Sequence, residues 1–235
     1  MKPVAIFRHL SIEGPGHFAT FLERHSVPSQ LIAVDQGETI PKDPTVFSGL
    51  CFMGGPMSVN DPLPWIGDSL ELIRAAVGAG IPVIGHCLGG QLLAKALGGE
   101  IGPNPVKEIG WGPVSALPCP EATRWLGSTQ NFTAFHWHGE TFAIPPSATH
   151  ILGSPHCANQ GFVAGPHLAM QCHVEMTLEM IGAWASHGAA EIARRRPQDA
   201  IQSGDEMLGE APLRLPSLHD VADRLYARWA EGLAR

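Results

Sequence analysis

Residues 81–97 read IPVIGHCLGGQLLAKAL, and this stretch decides the fold class. The apolar run Ile81–Ile84 predicts a buried strand, and Leu88–Leu97 predicts a helix that stops at Gly98. The two are joined by the turn Gly85-His86-Cys87-Leu88-Gly89, in which a glycine stands two positions either side of a cysteine. A strand, a tight turn and a helix in this order are typical of a parallel sheet covered by helices.

The same alternation of apolar runs and amphipathic stretches continues along the chain. Strands are also predicted at 4–7, 30–34, 50–53 and 168–172, and helices at 16–25, 65–80 and 177–186. The middle third is rich in glycine, proline and aromatic residues, with short strand-like runs at 114–117, 132–135, 150–152 and 162–164. We therefore predict a single α/β domain: a mostly parallel twisted sheet, helices on both faces and a small antiparallel extension.

The C-terminal part of the chain is predicted to be helical. Residues 197–216 are expected to be irregular or weakly helical, and Ser217 is expected to open the last helix, with Asp220 completing a capping box. The domain core is predicted to span about 4–186. Residues 187–235 are predicted to be a helical extension, so that the whole chain forms one domain.

Composition and charge exclude several classes of protein. The chain has 235 residues, 44% of them hydrophobic and 16% charged, which is sufficient for a large core. Its net charge is −7 and its one basic cluster, Arg194–Arg196, is short, so a nucleic-acid-binding surface is not expected. No apolar run approaches the ~20 residues of a membrane span, and the N-terminal run is too short for a signal peptide. We predict a cytoplasmic location with no membrane partner.

Five cysteines raise the question of which one carries chemistry. They are Cys51, Cys87, Cys119, Cys157 and Cys172. An odd number without any Cys-x-x-Cys indicates reduced thiols rather than a disulfide framework or a zinc site. Cys87 is the candidate nucleophile, because a sharp turn lifts its side chain above the sheet edge and the following helix N-terminus favours the thiolate. The alternative is a buried cysteine in a glycine-rich turn.

His-x-Glu occurs twice, as His138-Gly139-Glu140 and His173-Val174-Glu175. His173 follows an apolar strand and precedes a helix, which predicts that it lies at the same sheet edge as Cys87. His138 is predicted to lie in an aromatic loop, either packed among its neighbours or in a pocket wall. His86 directly precedes the candidate nucleophile and is predicted to point away from it, buried under the turn.

Three motifs, in this order, resemble the class I glutamine amidotransferase family with a Cys-His-Glu triad. They are Gly54-Gly55-Pro56 after the strand at 50–53, Gly85-x-Cys87-x-Gly89-x-Gln91, and His173-x-Glu175. The resemblance covers about residues 4–186, and the segments 108–114 and 135–140 are similar to stand-alone GMP-synthase-like members. The chain departs from the family pattern at Cys172, where an aromatic residue is usual, and at Val174, where proline is usual.

The resemblance implies a flavodoxin-like fold and a site. It implies Cys87 as nucleophile, His173 as base and Glu175 as the residue that orients it. The backbone N–H of Leu88, directly after the nucleophile, and that of Gly55 would form an oxyanion hole, with Gly54 helping the backbone approach. The residues that would bind the substrate are Gln91, Asn159, Gly161 and Phe162. No cofactor and no metal are expected.

The implied reaction is hydrolysis of the side-chain amide of glutamine, through a cysteine thioester, to glutamate and ammonia. The sequence contains no Gly-x-x-x-x-Gly-Lys-[Ser/Thr] phosphate loop. The implied partner is the small-molecule substrate, and either a separate synthetase on another chain accepts the ammonia or there is no acceptor.

Three other readings stay open on the sequence. The first is a free-standing γ-glutamyl peptide hydrolase with the same triad and a wider pocket. The second is a metal-dependent hydrolase that uses His136, His138 and His173, since His-x-His spacing suits a metal. The third is a catalytically silent binding protein that has kept the fold.

Overall fold

One mixed sheet organises residues 1–233, the part of the chain that the computed structural model describes. Its strands are β1 (Val4–Arg8), β2 (Ser29–Ala33), β3 (Gly49–Phe52), β4 (Val83–His86), β5 (Ile101–Ala116), β6 (Asn131–Phe142), β7 (Thr149–Gly153), β8 (Gly161–Ala164) and β9 (His167–Met170). Their order across the sheet is β2-β1-β3-β4-β9-β8-β7-β5-β6.

The first five strands of that order, from β2 to β9, are all parallel. With β9 as the fifth parallel strand, the order is that of a flavodoxin-like sheet, whose ligand sites lie beyond the carboxyl ends of the strands. The α/β fold class is therefore confirmed. The loops after β1, β3, β4 and β9 all open at one edge, and this edge carries the candidate residues.

The antiparallel part is larger than the small extension predicted from the sequence. From β9 to β6 every pairing is antiparallel, and the β5–β6 hairpin alone uses strands of 16 and 12 residues. The apolar runs at 114–117 and 132–135 marked only one end of this hairpin. The rest of β5 was not predicted because it contains three prolines, Pro103, Pro105 and Pro113. These prolines are tolerated because β5 pairs with β7 only at Ser115–Ala116, so on that side they interrupt no strand pairing.

Helices cover both faces of the sheet, as predicted. They are α1 (Gly16–Arg24), α2 (Pro64–Gly78), α3 (Leu88–Ala96), α4 (Pro120–Leu126), α5 (Leu178–His187), α6 (Ala189–Arg195) and α7 (Gly204–Ala230). Side chains from α1, α5 and α7 belong to one hydrophobic cluster, and those from α2 and α3 to a second. Within residues 1–233 none of the helices combines the length and apolar character that crossing a bilayer requires.

The last helix begins earlier than predicted. Its cap is Ser203, not Ser217: the Ser203 hydroxyl accepts from the Glu206 N–H at 3.2 Å, and Glu206 Oε2 accepts from the Ser203 N–H at 2.6 Å. Pro212 and Pro216 both lie inside the helix, where proline costs about 3 kcal/mol. The helix buries an apolar face along much of its length, which offsets that cost.

The predicted C-terminal extension is part of the main core. Tyr226 and Trp229 of α7 are fully buried and are the largest such side chains described. Phe18 of α1 packs edge-on against both rings. The predicted range 187–235 ends at residues 234–235, which lie outside the described residues.

Candidate active site

Cys87 occupies a strained turn between β4 and α3. Its backbone has φ +49° and ψ −106°, a region that residues other than glycine rarely adopt. Two hydrogen bonds hold this conformation: the Cys87 N–H donates to the Met170 carbonyl at 2.8 Å, and the Cys87 carbonyl accepts from the Gln91 N–H at 2.9 Å. The thiol thus sits at a helix N-terminus above the edge of the sheet, as the sequence predicts.

The two glycines of the turn allow backbone to touch backbone. A Cβ on Gly85 would overlap the Gly89 carbonyl group, and one on Gly89 would overlap the Phe52 carbonyl oxygen of β3. Because both obstacles are backbone atoms, no flexible side chain could move aside. The turn therefore packs directly on its own helix and on the neighbouring strand.

Gly85→Ala is expected to lower the free energy of unfolding by about 3 kcal/mol, because overpacking against backbone is not relieved locally. This corresponds to roughly 6–12 °C in Tm for a chain of this size. Gly67→Ala is the matched control: Gly67 is exposed on α2 with nothing within 4 Å of an added Cβ, so alanine there is expected to stabilise by about 0.5–1 kcal/mol. Thermal unfolding of both variants measures the difference, and equal effects would contradict the close packing of the turn.

His173 and Glu175 form a buried pair directly after β9. His173 Nδ1 and Glu175 Oε1 are 2.6 Å apart, and both side chains are about 1% exposed. Because β4 and β9 are adjacent and parallel, the pair lies at the same sheet edge as Cys87. The Trp184 ring stands edge-on to the imidazole, with centroids 4.8 Å apart.

The charges of this pair reinforce each other. Burial alone would raise the pKa of Glu175, but the positive charge and hydrogen bond of His173, with a further effect of His86, lower it to about 2. Burial opposes the charged form of His173 as well, yet Glu175 and Cys87 raise the pKa of His173 well above its ordinary value. The arrangement therefore favours the imidazolium form of His173 and the carboxylate form of Glu175.

The backbone of His173 is held by the antiparallel hairpin. Its N–H donates to the Phe135 carbonyl of β6 at 2.8 Å, and its carbonyl accepts from the Phe135 N–H at 3.3 Å. Cys172 and Val174, which stand where the family usually has an aromatic residue and a proline, are both fully buried. The backbone of His173 is thus held by hydrogen bonds to the hairpin.

Two glutamines connect the thiol to α3. Gln171 Nε2 donates to Cys87 Sγ at 3.4 Å, and Gln91 Nε2 donates to Gln171 Oε1 at 3.1 Å. Gln91 also lines the cavity described below. The contact of Gln171 with the thiol was missed, although its position two residues before His173 is a signal that could have found it.

His86 is buried under the turn, as predicted, and it also faces Glu175. Its Nε2 lies 3.1 Å from the Tyr226 hydroxyl and 3.9 Å from Glu175 Oε2. Burial lowers the pKa of His86, while Glu175 opposes this effect. Tyr226 of α7 thereby contacts the histidine that faces Glu175. No sequence pattern indicated this contact between distant segments.

The Gly54-Gly55 turn follows β3 and is fixed by His9. His9 Nδ1 lies 3.1 Å from the Met53 carbonyl oxygen and 3.3 Å from that of Gly54, and its ring stacks on Trp65. Burial lowers the pKa of His9 to about 4, so the ring is neutral at pH 7 and Nδ1–H is the donor. A Cβ on Gly55 would lie 2.7 Å from the Leu88 side chain, so the turn is close to the N-terminus of α3.

A cavity of about 520 Å³ opens above Cys87. Gly55 and Gln91 line it near the thiol, and residues 137–140 of β6 and 188–194 around α6 form much of its outer wall. Other lining residues include Glu13, Met57, Lys107 and Trp184. His138 is therefore a pocket-wall residue within a strand, and its predicted loop is wrong.

The predicted substrate residues Asn159, Gly161 and Phe162 lie elsewhere. None of them is among the described residues that line the cavity. Phe162 is fully buried against Phe142, Asn159 Nδ2 donates to the Phe142 carbonyl at 2.9 Å, and Gly161 belongs to β8. This segment packs against Phe142 of β6 and continues directly into the buried strand β8.

His136 and His138 meet Glu108, not His173. The ligand atoms of Glu108, His136 and His138 lie within 4.8 Å of one another, and His138 Nε2 is 3.0 Å from Glu108 Oε2. Gln160 Nε2 stands among them, donating to Glu108 Oε2 at 2.9 Å and lying 3.4 Å from His136 Nδ1. His138 Nε2 and Gln160 Oε1 are buried without a hydrogen-bond partner among the described residues, so the cluster is only partly satisfied. The donor atoms that lie together are those of Glu108, His136 and His138, so the set of three histidines proposed for a metal is wrong.

A family model for class-I glutamine amidotransferases matches residues 20–184. The chain belongs to this family. The matched range contains the turn at Cys87, the Gly54-Gly55 turn and the His173–Glu175 pair. The β1–α1 loop with Glu13 and the helices α6 and α7 lie outside it.

Relatives of this amidotransferase cover most of its length. It is 32% identical over 213 residues to the glutamine amidotransferase-like protein YfeJ of Salmonella typhimurium, covering 85% of this chain and 86% of that one. It is 29% identical to one subunit of the glutamine-hydrolyzing GMP synthase of Ignicoccus hospitalis, covering 80% and 94%. A glutamine amido transferase from Methylobacillus flagellatus superposes with a TM-score of 0.97 at 45% identity, covering 100% and 96%.

Proposed function

We propose that this protein hydrolyses the side-chain amide of glutamine with Cys87 as nucleophile. The observation that carries the proposal is the Cys87 thiol on its strained turn, beside the buried His173–Glu175 pair and at the base of an open cavity. In this proposal Cys87, His173 and Glu175 have the roles of nucleophile, acid–base and orienting carboxylate.

In the first half of the reaction the Cys87 thiolate attacks the carboxamide carbon. A C–S bond forms, and the carbonyl electron pair moves onto oxygen to give a tetrahedral oxyanion. When the oxyanion collapses, the C–N bond breaks, and the His173 imidazolium protonates the leaving nitrogen, which departs as ammonia. A glutamyl thioester on Cys87 and a neutral His173 remain.

The proposed oxyanion donors are the backbone N–H groups of Gly55 and Leu88. The Gly54 carbonyl is held by His9, and because the C=O and N–H of a trans peptide point in opposite directions, the Gly55 N–H points away from His9. Leu88 is the first residue of α3, so the backbone N–H of Leu88 has no partner inside the helix. Each such donor contributes roughly 3–4 kcal/mol to the transition state.

In the second half neutral His173 takes a proton from water, and the hydroxide attacks the thioester. The C–S bond breaks, glutamate leaves, and the thiolate–imidazolium pair returns. The balance is glutamine plus water giving glutamate plus ammonia. Glu175 holds the imidazole and stabilises its charged form in both halves. The amino-acid end of the substrate would lie against Gln91 and the β6 wall.

A separate synthetase is the proposed acceptor of the ammonia. One relative is named as a subunit of GMP synthase, which supports an arrangement with the two activities on different chains. The proposed substrate is glutamine. The proposed partner is a synthetase that consumes the released ammonia.

Glutamine labelled with carbon-13 at the side-chain carboxamide tests the activity. We expect the carboxamide signal to be replaced by that of the glutamate carboxylate, with ammonia released in equal amount. Acid quenching during turnover, followed by peptide mass spectrometry, is expected to find a glutamyl adduct on the Cys87 peptide. If prolonged incubation gives no conversion of glutamine and no adduct on Cys87, the proposal is contradicted.

The cavity volume favours one second candidate, hydrolysis of γ-glutamyl peptides. At about 520 Å³ the cavity is in the range that accommodates ligands larger than a single amino acid. Measuring kcat/KM for glutamine and for γ-glutamyl dipeptides in parallel separates the two. A higher kcat/KM for the dipeptides would assign the same triad to the peptide substrates.

A further inference from the structure

Glu13 brings a second carboxyl group to the catalytic imidazole. It lies in the loop between β1 and α1, at the same sheet edge as Cys87, and it lines the same cavity. A Cβ on Gly54 would overlap Glu13 Oε2 and would lie 3.1 Å from His173 Cε1. The missing side chain of Gly54 therefore leaves the space in which the Glu13 carboxyl and the His173 ring approach each other.

The two carboxyl groups are placed differently with respect to the imidazole. Glu175 binds Nδ1 at 2.6 Å, whereas Glu13 Oε2 and His173 Cε1 both border the space above Gly54. Within residues 1–233 the Glu13 carboxyl forms no hydrogen bond and no ion pair that would compensate its charge elsewhere. A carboxyl group placed here without such a partner acts mainly on the charge of the ring beside it.

The surroundings make Glu13 titratable near neutral pH. Burial raises its pKa to about 7, the charge of His173 opposes this rise, and the charge of Glu175 adds to it. Both of those groups belong to the segment after β9. The other charged or titratable residues that line the cavity are Lys107, His138, Glu140, His187, Glu191 and Arg194.

We propose that Glu13 is a positioning residue that, as a carboxylate, stabilises the His173 imidazolium and through it the Cys87 thiolate. The physical reason is Coulombic attraction in a partly buried site, where charges a few ångströms apart interact far more strongly than in water. When Glu13 is protonated this attraction is lost, so the thiolate becomes less populated. For glutamine turnover the inference rests on the proposed function, but its effect on the thiol does not.

Alkylation of Cys87 by iodoacetamide tests this without any substrate. The rate is followed by mass spectrometry of the Cys87 peptide across pH in the wild type, in Glu13→Gln and in Glu23→Gln. Glu23 is exposed on α1 and serves as the matched control for loss of one carboxylate. Glutamine keeps the shape of Glu13 and removes only its charge.

We expect Glu13→Gln to alkylate at the wild-type rate near pH 5.5, where Glu13 is protonated, and several-fold more slowly than the wild type near pH 8, where Glu13 of the wild type is a carboxylate. Glu23→Gln should follow the wild type throughout. Thermal unfolding of each variant establishes that it is folded. A Glu13→Gln profile that coincides with the wild type would overturn the proposal.

Glutamine hydrolysis is measured on the same three proteins. A loss of kcat in Glu13→Gln that parallels the loss of alkylation extends the role to turnover. Slower alkylation in Glu13→Gln combined with no hydrolysis by any of the three proteins would support the role of Glu13 and contradict the proposed function. A failure of the proposal for Glu13 is therefore distinguished from a failure of the proposed glutamine hydrolysis.

Discussion

Cys87→Ala is expected to abolish glutamine hydrolysis, with a loss of at least about 10⁴-fold in kcat, because no thioester forms without the thiolate. The fold is expected to remain. Alanine keeps the Cβ and the turn's two backbone hydrogen bonds, so the strain at φ +49° is unchanged. The measurements are the glutamate formed per enzyme and the Tm.

Cys119→Ala is the matched control for Cys87→Ala. Cys119 is partly exposed at the start of α4 and is not among the described residues lining the cavity. Its removal is expected to leave kcat and KM for glutamine within about twofold of the wild type. Hydrolysis at the wild-type rate by Cys87→Ala would remove the proposed mechanism altogether.

Glu175→Gln is expected to lower kcat by roughly 10²–10⁴-fold, as seen when the carboxylate of a comparable triad is replaced by an amide. The amide cannot stabilise the imidazolium, and it presents a donor or a neutral acceptor to His173 Nδ1 where a carboxylate now binds at 2.6 Å. Since both side chains are buried, no water replaces the lost interaction. The expected signature is a fall in kcat with little change in KM.

The same pair makes stability depend on pH. The pKa of Glu175 is lowered to about 2, so its contribution is present above the unfolded value of about 4.5 and is lost as the pH falls toward 2. The pKa of His173 is raised, so its contribution is complete below about 6.5 and is lost as the pH rises through the folded value. The pair therefore stabilises most between about pH 4.5 and 6.5.

Thermal unfolding across pH measures this contribution of the pair. Glu175→Gln is expected to have a lower Tm than the wild type within that window and a flatter dependence of Tm on pH. Glu71→Gln, an exposed carboxylate on α2, provides the control and is expected to follow the wild-type curve. An unchanged Tm profile in Glu175→Gln would mean that the pair contributes nothing net, and an unchanged kcat would contradict its role in the reaction.

The local elements were predictable because each had its own signal. The apolar run before Gly85, the glycines around Cys87 and the helical spacing after it gave a strand, a turn and a helix, and all three are present. The position of His173 after a buried strand placed it at the correct sheet edge. These are consequences of period, capping and strand direction, which act over fewer than twenty residues.

The full length of the hairpin and the first half of the last helix were missed where local signals conflict with packing. Proline and glycine in β5 indicate a loop, and Pro212 and Pro216 indicate the absence of a helix. In both cases packing against other segments of the chain offsets the unfavourable conformational preference of these residues. The spacing of Ser203 and Glu206 matches a capping box, and this signal was missed.

The sequence by itself determined the α/β class and the turn at Cys87, because strand, turn and helix follow from local periodicity, and the family resemblance pointed to the His173–Glu175 pair. Only the tertiary structure decided what surrounds them. It set residues 137–140 rather than 159–162 in the cavity wall, Tyr226 behind His86, and Glu13 beside His173. These contacts join segments far apart in the chain, and their energies depend on burial and distance, which a one-dimensional pattern does not contain.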